Sequence, residues 1–168
     1  DCRESEMPYG IIAGVNEHAA VLHHHNLFKQ PQTPRSFLID AGVEVNGYAS
    51  DITRTYAYDS GSDFAAMIEL INKKQLELCA EGGIGKSPVD IHMLSQHKIA
   101  EVLIDFDVLN MSAEEAVAND IAASFYPHGL GHHLGCNVHD KGSQLANAQG
   151  DILRHGAAGK KNRSFLAQ

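Results

Sequence analysis

No glutamate occurs after Glu115, and the three cysteines, Cys2, Cys79 and Cys136, are odd in number and far apart. The cysteines therefore give neither a disulfide framework nor a zinc-ligand spacing. Each reads as a small, partly buried residue in a reducing, cytoplasmic setting. No apolar run approaches the roughly 18 residues of a membrane span. The charged, polar opening Asp1 to Glu6 is not a secretory signal. The chain carries no surplus of positive charge: its formal net charge is −8, which argues against nonspecific binding to nucleic acid or an anionic membrane. An HExxH helix, the platform of many zinc proteases, is also missing. At 168 residues the chain is long enough for one domain with a core and too short for two. A start at Asp1 rather than Met reads as a fragment or a processed product.

What is present is ordered along the chain. Residues 10–15 and 19–25 read as two short strands around a turn at Asn16-Glu17-His18. Residues 29–35, with Pro31 and Pro34, read as a loop. Residues 36–45 and 48–58 are rich in β-branched and aromatic residues. They flank Asn46-Gly47, a strong hairpin signal. Phe64, Met67, Ile68 and Ile71 recur at helical spacing and predict a helix over 63–80. Ser87-Pro88 looks like an N-cap followed by a first-turn proline, opening a helix to about Asp107. Ser112 and Glu115 fit a capping box at the head of a short third helix. A glycine-rich, strand-like region follows. Strands, then helices, then strand predict an α+β fold, with an antiparallel sheet and helices packed on one face. Residues 141–168 change character: Lys141, Arg154, Lys160, Lys161 and Arg163 stand against Asp151 alone. The expected division is therefore a domain over 1–140 and a divergent, loosely ordered basic tail over 141–168.

The chemistry concentrates in two places. If Asn46-Gly47 is a two-residue turn, Val45 pairs with Tyr48, Asp40 lies opposite Thr53, and Gly42 lies opposite Asp51. Period-two alternation then puts Asp40, Asp51 and Thr53 on one face. The two carboxylates become diagonal neighbours roughly 7–8 Å apart. A divalent ion between them would relieve their repulsion. The bland alternative, an exposed Asp51 and a turn-capping Asp40, has about even weight for the aspartates alone. The apolar run Phe37-Leu38-Ile39 before Asp40 tilts the balance. The second place is HGLGHHLGCNVHD, residues 128–140. In an extended segment His128 and His132 share a face, whereas His132 and His139 project oppositely unless a bend intervenes. One metal ligand and two substrate- or proton-handling groups is the simplest reading. Adjacent residues on a strand face opposite ways, so only one of His132 and His133 can turn towards the aspartates.

HGLGHHLGCNVHD resembles the proline-peptidase motif of the metallopeptidases with the "pita-bread" fold. LIDAG and SDITRT, with aspartates 11 positions apart, resemble that family's first two metal ligands. Within the family the bacterial Xaa-Pro dipeptidases (prolidases), which have organophosphate-hydrolysing relatives, are most similar, over about Met7 to Asp140. The resemblance implies an incomplete pita-bread domain. It also implies two Mn²⁺ ions held by Asp40 and Asp51, with His132 on one of them. His128 and His139 would contact substrate and stabilise the tetrahedral intermediate. Tyr9, His23 and Val138 would line the substrate pocket, while His24 and His25 would lie at the surface. The implied substrate is a dipeptide with a C-terminal proline, and the implied assembly of the complete enzyme is a homodimer. The family's two downstream glutamate ligands and its N-terminal domain are not in this chain. Cys136 stands at a normally aliphatic position, and Pro88 stands where the bacterial relatives have a leaving-group tyrosine. The chain is therefore expected to be catalytically weak by itself. The alternatives are a non-catalytic remnant of the fold, or an aminopeptidase- or creatinase-type member.

Overall fold

The computed structural model describes residues 7–26, 33–141, 149 and 151. The strands are β1 (Ile12–Val15), β2 (Ser36–Ala41), β3 (Glu44–Val45), β4 (Tyr48–Ala49) and β5 (Ile52–Ala57). The helices are α1 (Asp63–Glu81), α2 (Pro88–Asp105), α3 (Ala113–Ala118) and α4 (Ile121–Phe125). The expected basic tail lies outside the described residues except for 141, 149 and 151, and so does part of the expected 29–35 loop.

The hairpin forms because Asn46 and Gly47 both take positive φ, 53° and 80°, as a tight two-residue turn demands. Val45 pairs with Tyr48 and Asp40 with Thr53, the register that the turn dictates. The two long strands do not run unbroken, however. Between β3–β4 and β2–β5 the Ser50 hydroxyl receives the Val43 N–H at 2.9 Å and donates to the Val43 carbonyl at 3.1 Å. The Ser50 N–H still donates to the Val43 carbonyl at 2.9 Å, so only the Val43 N–H leaves the backbone ladder for a side chain, where the hairpin divides into two short sheets beside Asp51. Gly42 is obligatory here. A β-carbon on it would run into the Ser50 carbonyl and the Tyr9 ring.

The second expected strand, over 19–25, is not formed. Residues Asn16–Ala20 make a 3-10 turn instead, and β1 pairs antiparallel with β2, Ile12 opposite Asp40. Asn16 explains the departure. It sits at φ 55°, and its side-chain oxygen accepts the backbone N–H groups of Arg35 and Ser36 at 2.7 and 3.2 Å. The end of β1 is thereby fastened to the start of β2 rather than to its own sequel. His24, expected at the surface, is 7% exposed and stacks on His18 with ring centroids 4.9 Å apart; His25 is exposed as expected.

The helices follow their caps. Ser62, Ser87 and Ser112 each accept a backbone N–H in the first turn of α1, α2 and α3, and Ser112 with Glu115 completes the capping box. The helix α4 had no separate sequence signal. It opens at Asp120, in the left-handed conformation at φ 57°. The tightest packing lies in this layer, where Ala100, Ala116 and Ala122 are fully buried against Leu109, Met111, Val117 and Ile121. Alanines let α2, α3 and α4 approach closely. Lys98, on α2, is clamped by Glu77 at 2.9 Å and Glu81 at 3.2 Å, which joins α2 to α1. No helix among the described residues is long and apolar enough to cross a membrane.

Candidate metal centre

Asp40 is the penultimate residue of β2 and Asp51 directly precedes β5, so the register carries both carboxylates to one place. The Tyr9 hydroxyl lies 2.6 Å from Asp40 Oδ1 and 3.0 Å from Asp51 Oδ1. A phenol has a single proton to donate, so it bridges two acceptors. Burial pushes the Tyr9 phenol far above its ordinary pKa, and the hydrogen bonds and negative charge of the two aspartates push it further. It therefore stays protonated. Sequence reasoning had placed Tyr9 only in a substrate pocket. Its reach to both carboxylates depends on Gly42, against which its ring is packed.

The glycine-rich segment is not a strand. Beyond the single bridge of His133 with Asp140 it is a compact loop, docked on the hairpin by the Ala49 N–H, which donates to the Gly135 carbonyl at 2.8 Å. Docking brings His132 Nε2 to 3.1 Å from Asp51 Oδ2. The bend also brings the His132 and His139 rings edge to face, with centroids 4.2 Å apart. Alternation along an extended segment would have separated them. His128 is elsewhere, packed edge-on against Tyr126 at 4.6 Å. Val138 is half-buried in the loop, and His23 is exposed in the bend after the 3-10 turn. None of the hydrogen bonds described for the two aspartates involves His23. Among the described hydrogen bonds, His133 meets His132 through its backbone carbonyl.

Asp140 is adjacent to His139, but the hydrogen bonds described for it go to other residues. Its carboxylate accepts the N–H groups of Lys141 at 2.8 Å and Cys136 at 2.9 Å. The Lys141 bond, followed by bonds from Asn137 and Cys136, holds its pKa below the ordinary value. Asp140 is thus the internal tie of the loop, and Gly135 leaves the space that its carboxylate fills.

The donor chemistry at Asp51 and His132 suits a cation. His132 Nδ1 lies 3.0 Å from the His133 carbonyl, which can only accept, so Nδ1 carries the proton. A neutral ring then turns its Nε2 lone pair towards a carboxylate. Two acceptors at 3.1 Å need a proton or a cation between them. The spacing also matches neighbouring ligands on one ion with ~2.0–2.2 Å bonds. Asp40 joins only through Tyr9. Among the described residues no three His, Cys, Asp or Glu side chains converge to hold an ion together, so the expected grouping of Asp40, Asp51 and His132 is pairwise rather than threefold.

Comparison with known proteins bears on this arrangement. The chain is 45% identical over 152 residues to an Xaa-Pro dipeptidase of Pseudoalteromonas translucida, covering 88% of this chain and 34% of that protein. It is 47% identical over 151 residues to an Xaa-Pro dipeptidase of Xanthomonas oryzae pv. oryzae, covering 89% and 34%. Among solved structures it is similar to the aminopeptidase PepP of Pseudomonas aeruginosa, with TM-score 0.74 and 28% identity over 89% of this chain and 34% of that one. It is also similar to zinc-substituted E. coli aminopeptidase P in complex with product, with TM-score 0.73 and 26% identity over the same shares. The chain thus spans about a third of the length of the relatives it matches. The fold is the α+β pita-bread arrangement of those aminopeptidases. Residues 3–158 match the model of metallopeptidase family M24, and the chain belongs to that family.

Proposed function

We propose that this chain carries part of the catalytic region of a metal-dependent Xaa-Pro dipeptidase, whose substrate is a dipeptide with a C-terminal proline. The observation that supports it best is the pairing of His132 Nε2 with Asp51 Oδ2 at 3.1 Å, while Nδ1 is committed to the His133 carbonyl. Asp40, Asp51 and His132 would hold Mn²⁺, two ions in the complete family enzyme. Bound divalent ions of this kind lower the pKa of a water and polarise a carbonyl. The residues of this chain have separate tasks. Tyr9 aligns the Asp40 and Asp51 carboxylates by its hydroxyl. His139, edge-on to His132, and His128 contact the substrate, while His23 and Val138 contribute to the pocket. The complete enzyme would be a cytoplasmic homodimer. The two 45–47% identical relatives named as dipeptidases favour this substrate. An aminopeptidase that releases the residue before proline from longer peptides is the second reading, favoured by the structural neighbours.

Calorimetric titration with Mn²⁺ tests the site. Asp51→Ala or Asp40→Ala should remove most affinity, and His132→Ala should weaken it by more than the ~10–100-fold typical of losing a supporting partner. His133→Ala should change it little. Equal losses at His132 and His133 would overturn the assignment. With excess Mn²⁺ the 168-residue chain should turn over Gly-Pro negligibly, because Asp40, Asp51 and His132 are fewer ligands than two ions need. Rapid hydrolysis abolished by Asp40→Ala would show that another group completes the site. Cleavage of a Gly-Pro-Ala tripeptide in preference to Gly-Pro would favour the aminopeptidase reading.

A further inference from the structure

His128 is separated from the aspartates by its own set of contacts, and these reach back into α2. Gln96 is 6% exposed, and its side-chain amide donates to the Tyr126 carbonyl at 3.0 Å. Tyr126 caps the end of α4 through its own N–H, which donates to the Ala122 carbonyl at 3.0 Å. Its hydroxyl donates to the Gly129 carbonyl at 3.2 Å, and its ring meets the His128 ring edge-on at 4.6 Å. The His92 ring lies on Tyr126 at 6.0 Å and is 8% exposed. The Gly129 carbonyl receives a second donor, since His128 Nδ1 lies 2.9 Å from it. A carbonyl oxygen only accepts, so that nitrogen must bear hydrogen.

We propose that Gln96 and Tyr126 are positioning residues: they hold the Gly129 carbonyl where it fixes His128 as the Nδ1–H tautomer, with Nε2 as the working nitrogen. The inference rests on His128 belonging to the substrate site and refines its part there. A neutral His128 so fixed offers substrate a hydrogen-bond acceptor at Nε2. It donates to an oxyanion only after taking up a second proton, as imidazolium. The brace is built to last through pH changes. Burial raises the Tyr126 phenol to about 12, so the hydroxyl keeps its proton. Burial lowers the pKa of His92, with a smaller contribution from the positive form of His128, so His92 itself is not readily charged beside the Tyr126 ring.

The test is nitrogen-15 NMR of the histidine rings in the full 168-residue chain, with His128 assigned from the signal lost in His128→Gln. The natural sequence should show the Nδ1–H pattern for His128 at pH values where the ring is neutral. Tyr126→Phe, which removes only the hydroxyl, and Gln96→Leu should each shift His128 towards a tautomer mixture and leave the His132 and His139 patterns unchanged. An Nε2–H pattern for His128 in the natural sequence overturns the proposal without recourse to any variant. So does an unaltered His128 pattern in both variants, and so does a change spread over all histidines. Mn²⁺ titration separates this from the wider reading. A chain that shows the expected tautomers but binds no Mn²⁺ would keep the brace and remove the metal centre.

Discussion

The helical layer and the hairpin sheet use opposite strategies with the same chain. In α2, α3 and α4 fully buried alanines pack against each other, and the layer is closed by serine caps and by the Lys98 clamp. The sheet instead leaves Phe37, Ile52 and Tyr56 exposed on one face and carries its chemistry on the other. Its order comes from polar ties: Ser50 on Val43, Asn16 on β2, Tyr9 on two aspartates, and Ala49 on the histidine loop. Stability is lodged chiefly in the helical layer and the candidate metal chemistry in the sheet. A change in the helices should alter melting before metal binding, and a change in the sheet should do the reverse.

Adding carbon to a full space in each region should separate the two most strongly. Ala100→Leu should cost about 1–3 kcal/mol or more by overpacking, because Ala100 is fully buried among three helices. Mn²⁺ affinity per folded molecule should stay within about threefold, well under one kcal/mol. Gly42→Ala should do the opposite in proportion. Its β-carbon would displace the Ser50 carbonyl and the Tyr9 ring, so Mn²⁺ affinity should fall by roughly tenfold or more, the scale of a lost supporting contact. Denaturant melts alongside calorimetry would read both. Equal ratios of stability loss to affinity loss in the two variants would erase the distinction.

A smaller effect is expected at the α3 cap. Ser112→Ala removes the acceptor for the Glu115 N–H, 3.1 Å away, and should cost about 1 kcal/mol of stability. Mn²⁺ titration of this variant should superimpose on that of the natural sequence. An altered isotherm would show that the helical layer reaches the metal centre more directly than its contacts indicate.

The smallest effect is local and pH-dependent. The folded-state pKa of Asp140 lies below its ordinary value of 3.8, chiefly through the Lys141 N–H. Its tie on the histidine loop is therefore fully present above the unfolded value and is lost as pH falls through the folded one. Protection of the Cys136 and Lys141 amides, read against the intrinsic exchange rate at each pH, should fall on acidification below about pH 4, ahead of protection in α2. Asp140→Ala, which removes both acceptor oxygens, should show low protection at those amides already at neutral pH. Simultaneous loss of protection in loop and helix would merge the two regions into one cooperative unit.

The parts of the fold that could be read in advance are those whose causes are local. Asn46-Gly47 sets its own turn, and counting from it places Asp40 opposite Thr53. Ser87-Pro88 and Ser112 with Glu115 start their helices through bonds within one turn. The parts that could not be read depend on distant partners. Nothing near residues 19–25 tells that Asn16 will be claimed by Arg35 and Ser36, which leaves that segment without a strand partner. The bend that joins His132 to His139 depends on Gly135 meeting Ala49 and on Asp140 turning back to Cys136. Tyr126, adjacent to Pro127, gave no sign of its work until Gln96 was seen beneath it.

The Asn16 side chain also donates to the Thr33 carbonyl at 3.1 Å, besides receiving Arg35 and Ser36. One residue thus holds Thr33, Arg35 and Ser36 against the end of β1. The register that sets Asp40 is fastened at that point and does not rely on the exposed turn at 21–23. An epitope or a fluorescent module inserted after the exposed His25 should therefore be carried without disturbing the aspartates. The same insertion after Ala41 would strike the hairpin itself. The Asn16 side chain thus makes the exposed turn after the 3-10 segment a ready point for labelling, and Asn16→Leu should turn a tolerant insertion site into an intolerant one.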